Sequence, residues 1–188
     1  LHNDVDGGLR CGAVSLREAL PKARWIREGD VRFVSCTADW RVCRPGDVFL
    51  ALTTADGDGH EDAALAVEKG AAAVVAERLV PVDAPVILVK DTRAALARVC
   101  QTLAGHPSRQ LRTIGITGTA GKTVTSMLLA SILEAAGQTA GVMSSLGNSD
   151  SLTQSARVSD TPTAPEFADW LRRMAVAECD NAVLEISS

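Results

Sequence analysis

The segment Gly115-Ile116-Thr117-Gly118-Thr119-Ala120-Gly121-Lys122-Thr123 combines residue types and spacing that specify a chemistry. It ends in Gly-Lys-Thr, follows a stretch that reads as a strand and opens a stretch that reads as a helix, the setting a phosphate loop requires. Glycines let successive backbone N–H groups turn toward one centre and form an anion-binding nest. The helix adds the positive end of its dipole to that nest. On this reading Lys122 reaches the outer phosphates of a nucleoside triphosphate and the Thr123 hydroxyl ligates Mg²⁺. One departure from the general pattern stands in the loop: Ile116, five residues before Gly121, occupies a position where Gly is usual. A phosphate loop alone leaves kinases, GTPases and ligases open.

The elements that must hold this loop are legible as an alternation. Arg112–Thr117 reads as a strand, Gly118–Gly121 as a tight loop and Thr123–Ala136 as a helix stopped by Gly137. Ala140–Ser144 is a second strand and a polar stretch, Leu146–Ser159, follows it. Pro165 suits the first turn of a helix running to about Ala177, and Ala182–Ile186 is a third strand. Upstream, Ser15-Leu16-Arg17-Glu18 has the form of a capping box that opens a short helix ending at Pro21. Val31–Cys36 and Asp47–Leu52 read as strands, Asp56–Gly59 as a loop and Glu61–Lys69 as a helix. Ala72–Ala76 and Val86–Val89 are all-apolar runs suited to strands buried on both faces, and Thr92–Leu103 is a helix capped by Asp91 or Thr92. The fold class is therefore α/β with largely parallel sheets. Gly105-His106-Pro107-Ser108 interrupts the pattern, which gives an expected division into 1–108 and 109–188.

Composition bounds the rest. The chain has 188 residues, 46% hydrophobic and 22% charged, with a formal net charge of −4, so it is globular and needs no staples for a core. The mildly acidic balance argues against non-specific nucleic-acid binding. The longest apolar runs, such as Ala71–Ala76, are far shorter than the ~20 residues of a membrane span. Nothing resembling a secretory signal opens the chain. Five cysteines (Cys11, Cys36, Cys43, Cys100, Cys179) form no Cys-x-x-Cys pair and are odd in number. Reduced thiols and a cytoplasmic setting are expected.

Four groups of residues resemble one family, the Mur ligases. Thr117-Gly118-Thr119-x-Gly121-Lys122-Thr123 resembles that family's phosphate loop. Asp39-x-Arg41-x-x-x-Pro45-Gly46-Asp47-x-Phe49-x-Ala51, continued by Asp58-Gly59-His60, Gly70-Ala71, Ala73-Val74-Val75 and Glu77, resembles the uridine-binding domain ahead of the loop in the MurE and MurF types. Thr161-Pro162 and Glu185-Ile186-Ser187-Ser188 resemble the MurE type's Thr-Thr-Pro and Glu-Val-Ser-Ser. The resemblance implies an N-terminal uridine-binding domain, then the first part of an ATP-binding domain. The activity it implies is an ATP- and Mg²⁺-dependent amide-bond ligase of peptidoglycan synthesis. ATP would phosphorylate the terminal carboxylate of UDP-N-acetylmuramoyl-L-alanyl-D-glutamate, and the amine of diaminopimelate or lysine would attack the acyl phosphate. Gly118, Thr119, Ala120, Gly121, Lys122, Thr123 and Val124 would hold ATP, with Lys122 and Glu185 catalytic and Thr123 and Glu185 on the metal. Asp39, Trp40, Arg41, Asp160, Thr161 and Ser187 would contact the UDP-linked substrate. The resemblance brings no nucleic-acid or membrane partner, and a monomer is expected.

Departures from the family pattern bear on activity more than on fold. Ala120 replaces the usual Asn before Gly-Lys-Thr, Val124 a Thr, Trp40 a Ser, and Asp160 the Thr before Thr-Pro. His60 reads as a capping or packing residue, Trp25 and Trp170 as core or interface aromatics, and Arg172-Arg173 as a solvated face. Arg41 is placed either to pair with Asp39 or to meet a ligand phosphate. The sequence begins without Met and stops at Ser188, before the family's next His, its carbamylated lysine and its amino-acid-binding domain. The expectation is that these 188 residues alone form no amide bond. Two alternatives stay open: a MurF-type ligase, and a non-catalytic Mur-like protein that binds nucleotide or UDP-sugar.

Overall fold

The computed structural model describes residues 12–26, 29–55, 57–156 and 162–186. The chain divides into two compact units, Leu1–Ala104 and Gly105–Ser188. Both are mixed α/β with parallel strands at the centre of the sheet.

In the first unit, helix α1 (Leu16–Ala19) starts at Ser15, whose hydroxyl accepts from the Glu18 N–H. The sheet is built on β1 (Val48–Leu50), β2 (Ala73–Ala76) and β3 (Val86–Leu88), which pair in parallel in that order. Helix α2 (Ala63–Glu68) connects β1 to β2, and α3 (Thr92–Leu103) follows β3 with Asp91 capping its first turn. Alternation along β1 assigns its residues to two cores. Val48 and Leu50 join Leu16, Phe33, Val75, Ile87 and Val99 on one face, whereas Phe49 joins Ala63, Ala66 and Val74 on the other. Two short edge strands complete the sheet: Cys36–Thr37, parallel to β1, and Arg24–Trp25, antiparallel to β3.

The expected strand over Val31–Cys36 is in fact two. Arg32–Phe33 pairs with Val14–Ser15 in a separate ribbon, and Cys36–Thr37 joins the main sheet. The expected loop at Asp56–Gly59 contains the second strand of a small hairpin, Thr53–Thr54 against Gly57–Asp58.

The polar motifs of this unit are explained locally. In Pro45-Gly46-Asp47 the buried Asp47 carboxylate accepts from the Arg44 N–H (2.8 Å) and from the Ser35 hydroxyl, closing the turn that leads into β1. His60 is buried. Its Nε2 accepts the Glu77 N–H at 3.0 Å, so the ring proton sits on Nδ1, which donates to Asp58 Oδ1 at 2.6 Å. Both ring nitrogens are committed, which makes His60 a cross-brace between the hairpin and the end of β2. Glu77 in turn accepts from the Thr92 N–H and hydroxyl at the start of α3.

Asp58 accepts from the His60 N–H and ring and pairs with Arg78 at 2.8 Å, and these partners hold its carboxyl down from 3.8 to about 2. A carboxyl whose value is lowered by folding contributes stability above its ordinary value and loses it as pH falls toward the lowered one. A carboxyl-carbon NMR titration is therefore expected to show Asp58 ionised at pH 3, with its midpoint near 2. A midpoint near 3.8 would remove the brace.

In the second unit, β4 (Arg112–Ile116) is followed by α4 (Lys122–Ala135), β5 (Ala140–Ser144), β6 (Gly147–Ser149), α5 (Ala164–Val176) and β7 (Asn181–Glu185). Strand β7 lies between β4 and β5 and is parallel to both. Strand β6 and the two-residue strand Gln154–Ser155 extend the sheet antiparallel beyond β5, inside the polar stretch Leu146–Ser159, to which the sequence assigned no element. Helix α5 opens with a reciprocal capping box between Thr163 and Glu166. It packs Leu171 and Met174 against Met143, Ala182 and Leu184. Helix α4 lies along β5 and β7 through the buried Ser126 and Ala130, leaving Val124, Leu128 and Ile132 exposed. Among the described residues, no helix is long and apolar enough to cross a membrane, and Cys36, Cys43, Cys100 and Cys179 are free thiols.

Candidate functional site

The loop between β4 and α4 is shaped by two glycines. Gly121, the residue before the first turn of α4, has φ +77°, and Gly118 has φ +153°, both in the range that side chains rarely adopt. Helix α4 has no side-chain cap at its N-terminus, so its first N–H groups are left to a ligand or solvent. Lys122 bends back over the loop and donates from Nζ to the Gly118 carbonyl at 2.7 Å. Thr119, Ala120, Gly121 and Val124 are exposed, and Lys122 and Thr123 are half-buried.

Three strand ends meet beside this loop because the sheet is parallel. Ile116 of β4 stands in register with Glu185 of β7, and β5 delivers its C-terminal end on the other side of β7. The Thr123 hydroxyl donates to Glu185 Oε2 at 3.0 Å, and the Ser145 N–H donates to the same oxygen at 2.8 Å. The Thr123 and Ser145 hydroxyls are 2.8 Å apart. Burial pushes the Glu185 carboxyl up, but these bonds and the Lys122 charge outweigh it and leave the group below its ordinary range. It stays an anion at neutral pH.

Ser145 is the member that sequence reasoning missed. It belongs to no motif, and the available signal was positional: a hydroxyl just past the strand that becomes β7's other neighbour.

The structure brings together Gly118, Lys122, Thr123 and Glu185, all within the second unit. Asp39, Trp40 and Arg41 belong to the first. Asp39 caps the 3₁₀ turn Trp40–Val42 by accepting from the Arg41 N–H at 2.9 Å, and it pairs loosely with the exposed Arg41 guanidinium at 3.5 Å. The Trp40 ring lies against two cations, Arg41 at 5.6 Å and Lys69 at 5.2 Å, and Lys69 also donates to the Arg41 carbonyl. Asp160, Thr161 and Ser187 lie outside the described residues. The Arg172-Arg173 pair is tied to Asp169 on the same helix, and Trp170 packs partly under Arg173.

Among the described residues no three His, Cys, Asp or Glu side chains come together to hold a metal. The oxygens of Thr123 and Glu185 suit Mg²⁺, which takes one or two protein ligands and completes its shell from phosphates and water.

A parallel sheet whose first strand runs through a glycine loop into a helix N-terminus, with a carboxylate on the neighbouring strand, defines the class of phosphate-loop α/β proteins. Residues 116–188 match the Mur ligase middle domain. A UDP-N-acetylmuramoyl-L-alanyl-D-glutamate–2,6-diaminopimelate ligase of Bacillus licheniformis is 38% identical over 159 residues, covering 85% of this chain and 33% of that protein. A UDP-N-acetylmuramyl-tripeptide synthetase of Deinococcus radiodurans is 37% identical over 94% of this chain and 37% of its own length. The solved structure of a UDP-N-acetylmuramoyl-L-alanyl-D-glutamate–2,6-diaminopimelate ligase superposes with a TM-score of 0.69 at 27% identity, over 94% of this chain and 36% of that one. Residues 116–188 carry the Mur ligase middle domain, and similarity to Mur ligases runs over 85–94% of the chain. The chain spans about a third of the length of the curated relatives it matches.

Proposed function

We propose that these residues are the uridine-binding and early ATP-binding parts of a cytoplasmic MurE-type ligase, which joins an amino acid to UDP-N-acetylmuramoyl-L-alanyl-D-glutamate. The observation that carries this reading is the 3.0 Å bond between Thr123 and Glu185 beside the Lys122 loop. It sets a hydroxyl and a carboxylate anion beside an ammonium at the uncapped start of α4, which supports reading this end of the helix as a site for a nucleotide's outer phosphates. Phosphoryl transfer depends on positioning and charge neutralisation more than on covalent help from the protein. Lys122 and the loop N–H groups would hold the triphosphate in line with the substrate carboxylate, and Thr123 and Glu185 would hold Mg²⁺. The bound cation supplies neutralisation of the charge between the outer phosphates. The substrate carboxylate would take the γ-phosphoryl group with release of ADP, and an amine would then attack the acyl carbon, lose a proton and expel phosphate as the amide forms.

The first unit is assigned the uridine-linked substrate. The Asp39-Trp40-Arg41 turn presents an aromatic ring flanked by two cations, a surface suited to a base and a pyrophosphate. Titration with UDP-N-acetylmuramate is expected to quench or shift tryptophan emission, and Trp40→Phe is expected to abolish that change while Trp25 and Trp170 continue to report. An identical change in Trp40→Phe, or none in the unaltered chain, would remove this turn from the site.

A further inference from the structure

We infer that Ser145 is a positioning residue for the divalent cation of the nucleotide site: its hydroxyl fixes the Thr123 hydroxyl, and its backbone N–H fixes Glu185. The inference rests on the nucleotide reading above and adds to it a residue that no phosphate-loop motif contains.

The argument is a count of protons and lone pairs. The Thr123 hydroxyl has one proton and two lone pairs. Its proton goes to Glu185 Oε2 at 3.0 Å. With that proton committed, the 2.8 Å contact to Ser145 can only have Ser145 as donor. Thr123 Oγ1 then keeps one lone pair for a cation, in a rotor held from both sides. Glu185 is held in the same way, since Oε2 receives both the Thr123 hydroxyl and the Ser145 N–H at 2.8 Å, and Oε1 takes neither bond.

Ser145 is exposed, so its hydroxyl can be satisfied by water and has no need of a protein partner. Thr123, Ser145 and Glu185 also come from three elements that are distant in sequence: the start of α4, the end of β5 and the end of β7. One serine therefore ties both oxygen ligands together before any ligand arrives, which spares the cation the entropy of ordering them.

The two contacts separate experimentally. Ser145→Ala removes the hydroxyl and keeps the backbone N–H on Glu185, and Ser145→Thr restores a hydroxyl. ATP affinity is measured by calorimetry on the full 188-residue chain, once with saturating Mg²⁺ and once in EDTA. Ser145→Ala is expected to weaken Mg²⁺-dependent binding about three- to tenfold, the scale of one hydrogen bond. It should leave binding in EDTA unchanged, and Ser145→Thr should restore the Mg²⁺-dependent part. Equal losses in both conditions would overturn the inference, because the serine would then serve the phosphate loop and not the cation. So would no loss in either condition while the unaltered chain binds ATP. Failure of the unaltered chain to bind ATP at all would overturn the nucleotide reading, and this inference with it.

Discussion

Lys122→Ala is expected to weaken ATP binding by about 1.5–3 kcal/mol, the scale of a charge-assisted hydrogen bond, while leaving the thermal midpoint in place. The two halves of that expectation come from the same geometry. Lys122 lies on the first turn of α4 with its ammonium directed back at the Gly118 carbonyl at 2.7 Å, and it belongs to none of the apolar clusters. Removing it deletes one half-buried hydrogen bond to a loop carbonyl, so folding loses little. A triphosphate loses the one lysine charge of the second unit, since the remaining three, Lys22, Lys69 and Lys90, belong to the first. The nest itself depends on the dihedrals of Gly118 and Gly121 and not on the side chain at Ala120, so the family's missing Asn does not remove it. Paired measurement of ATP affinity and thermal midpoint checks both halves. Unchanged affinity would remove the phosphate-loop assignment, and lost affinity with a collapsed midpoint would make the lysine structural.

How much of this was legible beforehand follows from which interactions are local. The buried strands β2 and β3 and the helices α3, α4 and α5 are written in continuous apolar runs or in periodicity with caps, and their observed ends lie within a residue or two of expectation. The edge strands were not legible. Arg24–Trp25, Gly147–Ser149 and Gln154–Ser155 carry no alternation of their own and exist because a neighbouring strand offers unpaired N–H and C=O groups. The break between Phe33 and Cys36 is likewise invisible in a run of β-favouring residues, because the two halves pair with partners far apart in sequence.

At the site the same division holds. Lys122 and Thr123 are given by a contiguous motif, and the position of Glu185 beside them by the parallel order of the strands. Ser145 has neither signal, since its contacts at 22 and 40 residues' separation depend on the register of β5 and β7. The Asp58–His60 brace was half legible. The motif marked it, but the acceptor role of Nε2 toward Glu77, which excludes general-base work in this arrangement, is a product of the tertiary fold.

Gly59→Ala is expected to destabilise the first unit by about 1–3 kcal/mol, the range for forcing extra atoms into a filled space. Gly59 sits inside Asp58-Gly59-His60, and its N–H donates to the Leu52 carbonyl at 2.9 Å, which draws the turn against the end of β1. A Cβ built on Gly59 would lie 2.8 Å from the Leu52 oxygen, 2.9 Å from the Leu52 nitrogen and 3.2 Å from the Ala51 carbonyl carbon. These are backbone atoms, so no rotamer change relieves the contact. Ala51 is fully buried in the same core cluster as Phe49, and the segment cannot withdraw inward. The remaining escape is outward movement of the turn, and that movement strains the His60 bonds to Asp58 and Glu77, which span from the hairpin to the end of β2. The glycine is thus required by close approach of two backbones and not by an unusual dihedral. A fall of at least about 4 °C in the thermal midpoint is expected for a unit of this size. A simultaneous rise in the Asp58 carboxyl midpoint toward its ordinary value should accompany that fall. An unchanged midpoint would mean that the hairpin yields freely. In that case the Asp58-Gly59-His60 turn would not be the clasp that holds the start of α3 and the end of β2 to β1.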